Sequence, residues 1–182
     1  MTADAGPHAP RSARPGDVLA PVVRRLLTGL IGTTVMTATM GVERVLRAGT
    51  DLPVDYDATG HVVTAAATVL RYRPQTRRGS HALFLLVHWG YGSAVALAYR
   101  PIRHRTPQTA AAAFSFFALC QSMAFAMFPT LGDTPPPWRW RRDIFVSSLA
   151  QHAVYATTVA ACDRSVARRY VADSLHRGRR ET

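Results

Sequence analysis

The chain has 182 residues, which suits one domain, and a formal net charge of +11. All 22 basic residues are arginine and flank apolar stretches instead of lining one soluble face. With no nucleic-acid-binding motif present, that placement points to anionic lipid headgroups and excludes nucleic acid as the expected partner. The two cysteines, Cys120 and Cys162, fall at different depths on neighbouring apolar runs, which excludes a disulfide-stapled secreted framework and makes them small packing residues.

Residues 1–17 are rich in Ala, Pro and polar residues and read as a flexible cytoplasmic tail. Residues 18–164 alternate charge-free apolar runs with charged segments, the pattern of a membrane domain. The first run, about 26–42, follows Arg24 and Arg25. It is too long for a signal-peptide core and lacks a small-residue cleavage site, so it reads as an uncleaved anchor near the lower length limit for a span. Gly29, Thr33, Thr37 and Gly41 recur at every fourth position along it. A stripe of small residues lets a second helix approach closely.

A polar segment, 43–57, separates this run from an uncharged stretch at 59–70 that is too short to span. Val62, Ala66, Val69 and Leu70 share one helical face there, so a short interfacial helix is expected, lying on the membrane surface or tucked against the bundle. The second span is about 81–99, ending at Arg100-Pro101, and the third is about 109–128, ending at Pro129. The fourth is about 144–162, preceded by Trp138 and Trp140 where interfacial aromatics belong. Residues 165–182 form a basic C-terminal tail, either a surface helix or unstructured. The expected fold is therefore all-α, an integral-membrane four-helix bundle of two hairpins with the lipid bilayer as its partner. Four spans place both termini on one side, and arginine is denser in the two tails and the loop 100–108 than across the membrane. The positive-inside rule then gives an N-in, C-in orientation.

The second and fourth runs share a pattern: His88-Trp-Gly-Tyr91 aligns with His152-Ala-Val-Tyr155. The first and third share Met36-xxx-Met40 and Met123-xxx-Met127, so the hairpins read as copies of one unit in a parallel internal repeat, or as chance matches in Ala/Val-rich helices. The run Gly29-xx-Gly32-Thr33-xx-Met36-Thr37-xx-Met40-xx-Glu43, with His88-Trp-Gly-Tyr91-Gly, Tyr99 and His152-xx-Tyr155, resembles the YagU-like family of small bacterial inner-membrane proteins. The resemblance spans roughly residues 26–162. It implies a bacterial inner-membrane location and an association with acid tolerance, and it supplies no catalytic residues.

Ionisable groups at membrane depth are costly and need partners, so Glu43, His88, Tyr91, His152 and Tyr155 form the intramembrane polar cluster of interest. One reading is structural: each His and Tyr bonds a facing helix, with Gly92 and Ala96 among the small residues that let helices touch. A second is a haem or transition-metal site. No metal site is assigned, but His88, His152, Met36, Met40, Met123 and Met127 are the ligand types that such a redox protein would use. A third is passage of protons or a small solute along Glu43, His88 and His152, in a single chain or in a homo-oligomer. No phosphate-binding loop, nucleophile elbow or His-Glu-x-x-His occurs, so a non-enzymatic protein is expected, with its cofactor, if any, unspecified.

Overall fold

The computed structural model describes residues 15–47 and 58–178, with side chains from 19–47 and 60–165. Among these residues the regular structure is helix, without a strand: α1 (Pro15–Arg47), α2 (Ala58–Leu70), α3 (Arg77–Val95), α4 (Tyr99–Arg105), α5 (Thr109–Leu131) and α6 (Arg142–Gly178). Short 3-10 turns lie at Ala96–Ala98 and Pro137–Arg139. Four stretches are long and apolar enough to cross a membrane: Leu19–Arg47, Arg77–Arg105, Thr109–Leu131 and Arg142–Ser165. Their outward faces carry exposed Leu, Ile, Val and Phe, with Leu86 71% and Phe114 69% exposed. Apolar side chains presented on all these helices need lipid as their surroundings. Four such helices are compatible with a multi-pass membrane protein.

Local chemistry explains where the helices begin, bend and stop. Thr76 caps α3, its hydroxyl accepting the Gly79 N–H at 3.1 Å. Pro101 was expected to end the second span, but the helix passes it. A proline clashes with the carbonyl four residues back, here Leu97, and the chain answers with the tighter Ala96–Ala98 turn before continuing as α4. Pro129 likewise does not end the third span. It forfeits one backbone bond inside α5, and the helix runs on to Leu131, where the Gly132 N–H closes on the Phe128 carbonyl at 2.8 Å. Helix α6 continues beyond the expected span end at 162 and reaches Gly178, so the backbone of most of the basic tail is helical. The expected tail 1–17 lies outside the described residues except for 15–17, which begin α1, and of the polar segment 43–57 only residues 43–47 are described.

The helices pack as a ring. Helix α1 lies against α3 on one side and α6 on the other, α6 packs on α5, and α2 packs against both α3 and α5. The expected short helix is therefore tucked into the bundle as its fifth wall. Its small face is buried at Ala65, Ala66 and Ala67, and two bonds fix it to the C-terminal end of α5: His61 Nδ1 to the Gly132 carbonyl at 2.9 Å and Thr68 Oγ1 to the Leu131 carbonyl at 3.3 Å. At the opposite end of the bundle, α4 closes directly on α5. There the core is tight, built from Ala96, Tyr99, Ala112, Phe116, Cys120, Tyr155, Ala156, Val159 and Ala160. Helix α2 has no counterpart beside α1 and α6, which pack directly on each other, so the two hairpins that share sequence patterns have different neighbours.

Candidate functional site

The α1–α3 seam is made by close backbone approach. A Cβ at Gly29 would stand 2.7 Å from the Ala96 Cβ, the Gly92 carbonyl oxygen and the Ser93 Cα. One turn on, buried Thr33 fills the space that a side chain at Gly92 would need. A further turn on, Thr37 Oγ1 is 2.9 Å from His88 Nε2. Gly41 takes no part in this seam, because a Cβ there would meet nothing within 4 Å. Gly32, off the expected stripe, serves the other face of α1, where a Cβ would touch the Tyr155 ring and Val159 at 3.0 Å.

Between the five walls lies a cavity of about 330 Å³, lined from α1, α2, α3, α5 and α6. It is mostly apolar, with Val62, Ala66, Val69 and Leu70 of α2 facing Phe84, Val87, Met127 and Phe128. Of the residues singled out in the sequence, His88, His152, Tyr91, Tyr155, Thr33, Gly92, Met36, Met40 and Met127 line it. Behind Tyr155, which lines the cavity, the core is aromatic: Phe116 sits between Tyr99 and Tyr155, with ring centroids 5.4 and 5.8 Å away. The Tyr155 hydroxyl donates to the Gly92 carbonyl, tying α6 to α3 at this level.

The polar groups of the wall are individually placed. The His88 ring stacks on Phe84 with centroids 5.0 Å apart, and its Nε2 meets Thr37. His152 Nδ1 lies 2.8 Å from the Ser148 carbonyl of its own helix, whereas the structural reading expected a facing helix. The Tyr91 hydroxyl donates to Met123 Sδ at 3.8 Å, which ties Met123, not itself a lining residue, to the site. Glu43 lies at the end of the cavity marked by Arg47 and Asp143. Its carboxylate accepts from Ser147 at 2.6 Å and from Gln151 at 3.0 Å, and it pairs with Arg47 at 2.6 Å. Arg47 also bridges to Asp143 at 3.1 Å, joining the ends of α1 and α6.

The two glutamines, one in the wall and one behind it, escaped the sequence reading, as did the place of Ser148 between them. Gln151 lines the cavity and connects it to Glu43, Ser148 lines it beside His152, and buried Gln121 donates to the Ser148 hydroxyl at 3.1 Å. The signal was available, since an amide inside an apolar run needs a partner just as an imidazole does. Among the described residues no group of three or more His, Cys, Asp or Glu converges as a metal would require. The pair of histidines is accompanied in the wall by the thioethers of Met36, Met40 and Met127 and the thiol of Cys120. Cys120 is buried at the cavity edge and Cys162 is half-buried, both as free thiols. Compared with protein-family models, with curated proteins and with solved structures, the chain matches none.

Proposed function

We propose that this is a non-enzymatic binding protein of the bacterial inner membrane, oriented N-in and C-in, that holds a small lipid-soluble molecule inside its bundle. The observation that carries this reading is the cavity of about 330 Å³, walled by apolar side chains with a few polar groups converging on it. Sites for small ligands have this character: concave, mostly apolar, of a few hundred cubic ångströms, with a small number of placed polar groups. The short helix α2 supports the same reading. A helix wedged between α3 and α5 at one end alone keeps that end open while the other end packs tightly. The resemblance to YagU-like proteins supports the inner-membrane assignment, and the arginine distribution supports the orientation.

A permeation pathway is the less favoured reading, because the packed core that Tyr155 shares with Tyr99 and Phe116 closes the bundle beyond the cavity. The test is retention of a ligand. Protein extracted directly from its membrane into lipid nanodiscs is expected to carry a solvent-extractable compound that is absent from empty nanodiscs of the same membrane. Replacing buried Ala66 with Phe fills the cavity and is expected to remove that compound while leaving the helical content intact. Identical extracts from parent, Ala66→Phe and empty nanodiscs would overturn the reading.

A further inference from the structure

Almost every polar hydrogen that the cavity wall could offer is already committed inside the protein. The Thr37 hydroxyl donates to the Thr33 carbonyl at 2.8 Å, so at the 2.9 Å contact with His88 it must accept, and His88 Nε2 carries the hydrogen. With the roles reversed, two oxygens would face each other at 2.8 Å with no hydrogen between them. His152 Nδ1 faces a carbonyl, which can only accept, so this nitrogen also carries its hydrogen. Gln151 donates through its amide nitrogen to Glu43 at 3.0 Å and to Ser147 at 2.9 Å. The Thr33 hydroxyl donates to the Gly29 carbonyl, the Tyr155 hydroxyl to the Gly92 carbonyl and the Tyr91 hydroxyl to the Met123 sulfur. Among the described wall residues the hydroxyl of Ser148, whose oxygen accepts from Gln121, keeps its own hydrogen, and the Cys120 thiol offers only a weak donor. The ring atoms left over are acceptors, Nδ1 of His88 and Nε2 of His152, joined by Oε1 of Gln151.

We propose that the cavity takes a lipid-soluble hydroquinone, whose two hydroxyls donate to His88 Nδ1 and His152 Nε2. The proposal rests on the cavity being a ligand site and adds the chemistry of the ligand. A wall rich in acceptors calls for a ligand that donates, because buried acceptors facing another acceptor would go unpaired. The ligand is uncharged: no acidic side chain lines the cavity, and Glu43 beyond Gln151 is already paired with Arg47, so a cation would be buried without a counter-charge. It is aromatic, because Phe84, Tyr91, Phe128 and Tyr155 offer ring faces and edges, and Met36 and Met127 offer thioethers that pack well against a ring. It carries two hydroxyls, because the imidazoles stand on α3 and α6, the helices that flank α1 on opposite sides.

The experiment compares a decyl-substituted hydroquinone, its quinone and its dimethyl ether for binding to the full-length protein in nanodiscs under anaerobic conditions. The three share a ring and tail and differ in donors. Each satisfied hydrogen bond is worth about tenfold in affinity, so the hydroquinone is expected to bind on the order of a hundredfold more tightly than the ether. Replacing His88 or His152 with Phe is expected to cut hydroquinone affinity about tenfold and to leave ether affinity unchanged. The unaltered protein carries the test if either variant fails to fold. Equal affinity for the three, or preference for the quinone, would overturn the proposal while leaving a ligand-holding cavity in place. The proposal also falls if none of the three binds. In that case a co-extracted compound sensitive to Ala66→Phe would still support the ligand site, and its absence would remove both readings.

Discussion

Thr37 fixes which nitrogen of His88 holds the hydrogen, and it can do so because Gly29, two turns earlier on α1, lets the helices touch. The atoms facing Gly29 are mainly backbone of α3, which cannot swing aside as a flexible side chain could. Gly29→Ala is therefore expected to destabilise the protein by about 1–3 kcal/mol, whereas Gly41→Ala, with open space before it, should stay within about 0.5 kcal/mol of the parent. Thermal unfolding of both variants in one detergent checks the contrast, and equal losses would refute the seam. A four-residue spacing made the stripe legible in the sequence because it marks one helix face. It did not reveal which members pack, and it missed Gly32, because α1 is buried on two faces and one period describes only one of them. The histidines and tyrosines were legible as buried polar groups. Their partners were not, because three of the four bonds join residues far apart in the chain, and His152 turned to its own helix.

At the scale of the element, hydropathy located the four spans, since lipid makes a long charge-free run necessary. Proline misled at both Pro101 and Pro129. It removes one donor, and a helix held by neighbours on its sides absorbs that loss with a tightened turn or a final bonded turn. The role of α2 as a wall was only half legible: its apolar face showed in Val62, Ala66, Val69 and Leu70, but not the gap that it fills. The ends of α1 and α6 are held by Arg47, which bridges Glu43 at 2.6 Å and Asp143 at 3.1 Å. These groups are roughly a quarter to a third exposed, so the pairing is screened by salt. Arg47→Met keeps most of the stem and removes the charge. It is expected to cost about 1 kcal/mol at low ionic strength and less in molar salt. A loss independent of salt would show that the stem, not the charge, holds these ends together.

Over the whole molecule the two ends differ in kind. One is a ring of five helices around a cavity, with a charged clasp at Arg47; the other is a packed core under α4. That polarity gives the proposed orientation a consequence: with N-in and C-in termini the open end would face the outer side and offer the cavity to molecules arriving in the outer leaflet. Helix α5 separates the ends: Gln108 precedes its first residue and Asp133 follows its cap at Gly132. At 1.5 Å per residue its 23 residues reach about 34 Å, enough to put the two positions on opposite sides of the hydrocarbon. In a background carrying Cys120→Ala and Cys162→Ala, a single Asp133→Cys is expected to react with an impermeant maleimide in intact cells, since Asp133 is exposed. Gln108→Cys and Ser165→Cys, also at exposed positions, are expected to react only after the membrane is permeabilised. The reverse pattern would turn the open end toward the cytoplasm and overrule the arginine count. Labelling of all three in intact cells would mean that the helix between them does not cross the membrane at all.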